Sequence, residues 1–207
     1  MRWSVTDAMI GVICPSRFEY RALDHRKIFG KHAACAVSGM GKVRASYACS
    51  ELLRRAPGIK AILLIGFAGA LTDNLEIGAV VEPFTFIEQD YNAEPFERFP
   101  NLIKKKHAAR LLKGSREAVM LTQDKFLKEN PYRGGPYEKK YKTLACDMES
   151  YAVAHFCQEM KIKYTVAKII SDRADHSADH DFLKSCRELS PKLNHITWEL
   201  VNRLRQA

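Results

Sequence analysis

Ala61-Ile-Leu-Leu-Ile65 runs directly into Gly66-Phe-Ala-Gly69-Ala70. Five consecutive aliphatic residues with no polar alternation read as a strand buried on both faces, the type found inside a parallel sheet covered by helices. The glycines that follow read as a turn at the carboxyl end of that strand. In open α/β sheets this is the rim where ligands bind.

The pattern repeats on either side. Met9–Ile13 and Ala33–Ser38 read as short strands, and Gly39-Met-Gly41 opens a helix over Lys42–Arg55 with Ala45, Ala48, Cys49, Leu52 and Leu53 on one face. Further strands are expected over Ala79–Ile87, Ala118–Thr122 and Ile162–Ile170. Helices are expected over Leu102–Leu112 (basic), Asp147–Met160 and Pro191–Leu204, and loops over Glu88–Asn101 and Lys128–Lys140. Strands alternating with helices imply an α/β fold with a mostly parallel sheet. No repeat or low-complexity linker breaks the chain, so residues 1–207 are read as one domain.

Composition excludes several classes. With 46% hydrophobic and 28% charged residues over 207 positions, the chain can bury a core without disulfides or a structural metal. No apolar run reaches the roughly 18 residues of a membrane span. The stretch Met1–Asp7 leads into no secretory apolar segment. The six cysteines (14, 35, 49, 146, 157, 186) form no C-x-x-C pair. Four of them sit among apolar neighbours, as buried free thiols do. A reduced, cytoplasmic protein is expected. The net charge of +9 raises nucleic-acid binding. Yet the basic residues are dispersed, and the densest run, Lys104-Lys-Lys-His107 with Arg110 and Lys113, reads as a solvated helix face. No nucleic-acid or membrane partner is expected.

Four features fall at carboxyl ends of strands or at the helix starts that follow them. They are Glu19 after the first strand, the Gly66–Ala70 turn, Asp147-Met-Glu149, and Ser171-Asp172 closing the last long strand. Three carboxylates on one rim suit a reaction that needs an acid, a base and a hydroxyl clamp. Taken singly, each also reads as a helix cap favoured by the helix dipole. Gly39-x-Gly41 lacks the third glycine of a dinucleotide fingerprint, and Lys42 lacks the spacing of a P-loop. His176 and His180 are four apart, as zinc ligands on a helix can be, but Ser177 stands where a zinc protease has Glu. A polar loop capping the next helix accounts for them, and no metal site is assigned.

The ordered segments IGVICPSRFEYRAL, VSGMGKVRAS, LLIGFAGAL, LTQDKFL, CDMESYAVAHFCQ and KIISDRADHSADHDF, spread over about residues 10–185, resemble the purine nucleoside phosphorylase and nucleosidase superfamily. Within it the chain is most similar to the 5′-methylthioadenosine/S-adenosylhomocysteine nucleosidases. The resemblance implies a three-layer α/β/α sandwich around a mixed, mostly parallel twisted sheet. It also implies a small nucleoside substrate, no cofactor, and a homodimer.

Residue by residue, the resemblance matches Glu19 to the carboxylate that activates water. Glu149 matches the one that holds the ribose hydroxyls, and Met148 the residue beneath the sugar. Asp172 matches the acid that protonates the purine at N7, with Ser171 positioning it. Phe126 matches the aromatic that stacks on the base, Leu127 the backbone that reads its edge, and Phe96 an aromatic lent to the partner's pocket. Two substrate-side positions depart from the family pattern. Phe67 stands where a serine is usual and Lys168 where an arginine is usual, which removes a bidentate fork. The stretch from Phe96 to Thr122 is also shorter than in the family. Hydrolysis of a 5′-modified adenosine is the leading expectation. Phosphorolysis, a nucleosidase for a futalosine-like or adenosylated lipid precursor, and a non-catalytic nucleoside-binding homologue remain as alternatives.

Overall fold

The computed structural model describes residues 9–29, 32–91, 102–105 and 110–206. Along the chain these form β1 (Met9–Cys14), α1 (Arg17–Arg21), α2 (His25–Ile28), β2 (Ala33–Val37), α3 (Lys42–Arg55), β3 (Ile59–Ala70), β4 (Val80–Glu88) and β5 (Leu102–Lys104). Then follow β6 (Arg116–Thr122), α4 (Pro136–Lys140), β7 (Leu144–Asp147), α5 (Ser150–Glu159), β8 (Lys163–Asp172), α6 (Ala178–Glu188) and α7 (Ser190–Gln206).

The strands make one mixed sheet, parallel in five of its eight pairings. β3 organises it. Its first half pairs with β1, its last two residues pair antiparallel with β7, and β8 runs parallel along its other edge. β8 then meets β4, β4 meets β6, and β6 returns to β7. The sheet therefore closes on itself through β3, β8, β4, β6 and β7, while β2 and β5 lie at its margins.

The two faces of β3 show why the aliphatic run belongs here. Side chains alternate across a strand. Ile62 and Leu64 pack with Ala48, Cys49 and Leu52 of α3 and Val153 and Cys157 of α5. Leu63, Ile65 and Phe67 pack with Leu193, Ile196 and Leu200 of α7. Helices cover both faces, giving the three-layer α/β/α sandwich.

The structure corrects four readings. Gly66–Ala70 is no turn, because pairing with β8 and β7 carries β3 through Ala70. Leu102 begins strand β5 rather than a helix, with Ile103 opposite Phe86 and Lys105 lying over the rings of Phe84 and Tyr164. Residues 106–109 lie outside the described residues. The Lys128–Lys140 loop contains α4, started by proline at its first turn, where the missing N–H costs nothing. The helix expected from Asp147 starts at Ser150, because Leu144–Asp147 is claimed by β7.

Candidate active site

Glu19, Glu149 and Asp172 line one cavity of about 550 Å³, counting the space at its mouth, at the carboxyl ends of β1, β3 and β8. Phe67, Phe126, Leu127, Met148 and Ser171 share its walls. Phe96 lies outside the described residues.

Glu19 sits in the first turn of α1, inside a capping box with Ser16. Its Oε2 accepts the Ser16 N–H at 2.6 Å and its Oε1 accepts the Phe67 N–H at 3.0 Å. The carboxyl group lies against the Cα of Gly66, where a Cβ would come within 3.0 Å of Oε1. Burial pushes its pKa up, while Lys168, Ser16 and the Phe67 N–H pull it back. The side chain is a buried carboxyl already oriented by two N–H donors.

Asp172 ends β8. The pairing of β3 and β8 slips by one residue there: Ala68 is opposite Ile170 and Gly69 opposite Asp172, so Ser171 bulges. The Ser171 hydroxyl donates to Asp172 Oδ2 at 2.7 Å, and the Ala174 N–H donates to Oδ1 at 2.9 Å. Ala174 takes a left-handed backbone (φ 50), a conformation that costs a non-glycine residue about 1 kcal/mol and is kept where the surroundings impose it. Gly69 provides the space, since a Cβ there would stand 2.9 Å from Asp172 Oδ1. Burial raises the Asp172 pKa against the pull of Ser171 and Ala174. Gly66 and Gly69, three positions apart on one strand, thus each leave the space that one of the two carboxylates occupies.

Glu149 occupies the N-cap position of α5 without a side-chain cap bond and is 3% exposed. Its Oε1 accepts the Gly41 N–H at 3.0 Å, and its Oε2 stands 3.4 Å from the Lys168 ammonium. Lys168 does not line the cavity. It lies beneath it, fully buried, 3.0 Å from Asp147 Oδ2. Asp147 is held in turn by the hydroxyls of Thr122 and Ser150. Burial opposes the Lys168 charge, and Asp147, Glu149 and Glu19 outweigh it, so the ammonium stays protonated. One cation cannot neutralise three carboxylates. Burial, with the charge of Asp147 and Glu19 added, pushes Glu149 up to about 7 against the pull of Lys168 and the Gly41 N–H.

The cavity's other side is aromatic. Phe182 of α6 meets Phe67 edge-to-face (centroids 6.0 Å) and Phe126 likewise (5.9 Å). Phe182 carried no assignment from sequence. The spacing Ala178, Phe182, Cys186, Leu189 was the available signal, masked by the charged residues between. His176 and His180 are exposed near the start of α6. Among the described residues no group of three or more His, Cys, Asp or Glu side chains could hold a metal ion, and no helix is long and apolar enough to cross a membrane.

A closed mixed sheet thus carries three carboxylates at its carboxyl rim. A model of the phosphorylase superfamily matches residues 22–202, and the chain belongs to that superfamily. Over 173 residues it is 30% identical to the 5′-methylthioadenosine/S-adenosylhomocysteine nucleosidase of Buchnera aphidicola subsp. Baizongia pistaciae, covering 73% of this chain and 66% of that protein. Its fold is similar to futalosine hydrolase of Helicobacter pylori strain 26695 (TM-score 0.80, 20% identity, 97% of this chain and 100% of that one). It is equally similar to the 5′-methylthioadenosine/S-adenosylhomocysteine nucleosidase from S. pneumoniae (TM-score 0.80, 18% identity, 95% and 99%).

Proposed function

We propose that the chain is a nucleosidase that hydrolyses the N-glycosidic bond of a 5′-modified adenosine of the methylthioadenosine/S-adenosylhomocysteine type. The observation that carries this reading is the gathering of Glu19, Glu149 and Asp172 in one cavity, each buried and each with different donors. In the reaction, C1′–N9 breaks as a water oxygen bonds to C1′. Glu19 takes a water proton, and Asp172 gives its proton to N7 of the departing purine. Protonating the leaving group is worth about 10² to 10⁴-fold. A buried, raised Asp172 supports the acid role. Glu149 accepts the ribose hydroxyls and faces the cationic sugar, with Met148 beneath it. Ser171 orients Asp172, Phe126 stacks on the base, and the backbone of Leu127 reads its edge.

Water rather than phosphate as nucleophile is supported at Arg17. Pro15-Ser-Arg17 resembles a phosphorylase segment whose arginine binds phosphate, but Arg17 is exposed and does not line the cavity. A second reading is a nucleosidase for a futalosine-like substrate. It is favoured by the aromatic wall of Phe67 and Phe182, which replaces a polar serine with apolar surface near the water-side carboxylate.

A homodimer belongs to the same proposal. α3 exposes Val43 (79%) and Tyr47 (67%) beside a groove lined by Ser46, Tyr91, Tyr151 and His155. A second copy would cover this apolar surface.

The test is base release by the purified protein from methylthioadenosine, S-adenosylhomocysteine, adenosine, inosine and futalosine, each with and without phosphate. Adenine from the thioadenosines without phosphate supports the proposal. Release from futalosine alone moves the substrate. A phosphate requirement makes the chain a phosphorylase, and no release from any of them points to a different nucleoside or to a pocket that only binds.

A further inference from the structure

We propose that Asp124, a residue outside the cavity, is a positioning residue that sets the orientation of Glu149 through the backbone of Gly41 and Lys42. The inference rests on Glu149 holding substrate, as proposed above.

Helix α3 begins without a side-chain cap of its own: its N-cap is Gly41, at φ 105 and ψ 157. This is backbone that side-chain-bearing residues do not adopt, so something else must hold it. Asp124, 82 residues further along, supplies the cap from outside. Its Oδ1 accepts the Lys42 N–H at 2.7 Å, and the same oxygen would stand 3.0 Å from a Cβ on residue 41. The preceding N–H, that of Gly41, is the one donated to Glu149. The two successive N–H groups on either side of the Gly41 Cα are therefore pinned by two carboxylates, Glu149 from within the site and Asp124 from beyond it.

Asp124 is itself clamped. Its N–H donates to Asp90 Oδ2 at 2.9 Å, and Asp90 Oδ1 accepts from the Lys42 ammonium, which also bonds Glu88 at 2.8 Å. Lys42, Asp90 and Asp124 thus close a ring. Lys125, Phe126 and Leu127, immediately after Asp124, form the base-side wall of the cavity. The ring ties that wall to the Gly41 loop, so the spacing between the stacking aromatic and the hydroxyl-holding carboxylate is set by Asp124.

The side-chain oxygen that accepts the Lys42 N–H, not the charge, is the active feature, so Asp124→Asn and Asp124→Ala separate the idea from a general structural role. Asp124→Ala is expected to raise KM for the hydrolysed nucleoside five- to tenfold with kcat changed less than twofold, and Asp124→Asn to restore KM to within twofold. An unchanged KM in Asp124→Ala overturns the proposal, as does an Asn variant as impaired as Ala. Should Asp124→Ala not fold, Asp90→Ala decides: KM is expected to rise at least twofold, and an unchanged KM overturns the proposal. Amide exchange of Gly41 reads the clamp without turnover. It should quicken at least tenfold in Asp124→Ala (or in Asp90→Ala, if that variant replaces it), and unchanged protection overturns the inference. A wild-type chain that releases no base refutes the function instead, and the exchange experiment still judges Asp124.

Discussion

Gly66 leaves open the space that Glu19 occupies: a Cβ at residue 66 would stand within 3.0 Å of the Glu19 carboxylate. The neighbouring peptide then donates its Phe67 N–H to that carboxylate. The glycine therefore acts by its missing side chain, not by backbone freedom. Gly66→Ala must push Glu19 off its two N–H donors. We expect base release to fall at least a hundredfold and the melting temperature to drop, read by steady-state kinetics and thermal denaturation. Wild-type turnover would mean that Glu19 has room the structure does not provide.

Asp172→Asn keeps the shape of the side chain but removes the proton that the proposed general acid transfers. The expected result is a loss of about 10² to 10⁴-fold in kcat with nucleoside affinity retained, measured by turnover and by calorimetric binding. Unchanged kcat would remove Asp172 from the acid role.

Glu149 makes stability depend on pH in a defined direction. Its folded pKa of about 7 lies above the ordinary 4.5. Below about 4.5 the proton is bound in both states, and the folded state keeps its full advantage. As pH rises through 7 the advantage is lost, because the unfolded chain ionises first. Melting curves of wild type and Glu149→Gln from pH 4.5 to 8 should diverge, the wild type losing stability relative to the variant as pH rises. A constant gap would show that Glu149 is ionised throughout.

Lys168→Met leaves Asp147 and Glu149 without their buried cation. Removing one partner of such a group costs about 3–5 kcal/mol. The cost should grow with pH, since Glu149, pushed up to about 7, needs a cation only once it has lost its proton. Denaturant melts at pH 5 and pH 8 check this, and equal losses at both would contradict it. Lys168→Arg, which keeps the charge, should lose much less.

Phe67→Ser removes a ring packed against Phe182 and the α7 layer. Truncating a buried Phe to a small residue costs about 3–5 kcal/mol, so the melting temperature should fall clearly. Hydrolysis of small nucleosides should rise if a hydroxyl beside Glu19 helps hold water. A gain in turnover despite lower stability is the outcome to look for.

Much of this was legible in the sequence. Lys42–Arg55 emerged as a helix with its ends intact because its apolar residues repeat at helical spacing, and the aliphatic run Ala61–Ile65 declared a strand covered on both faces. Glu19, Met148, Glu149, Phe126, Leu127, Ser171 and Asp172 were picked out from strand ends and motif likeness, and all of them line one cavity. Those signals are local, carried by residues a few positions apart.

What only the tertiary structure decided depends on partners far apart in the chain. Whether Gly66–Ala70 turns or continues as strand depends on β7 and β8, which lie some 75 to 100 residues later. The one-residue slip at Ser171, the burial of Lys168 beneath rather than within the cavity, and the placing of Phe182 between two other rings all follow from that pairing. A strand's residues and their period state that it will be buried. The neighbour that completes its hydrogen bonds is chosen only when the sheet closes, and that closure sets where each carboxylate points and what charge it can keep.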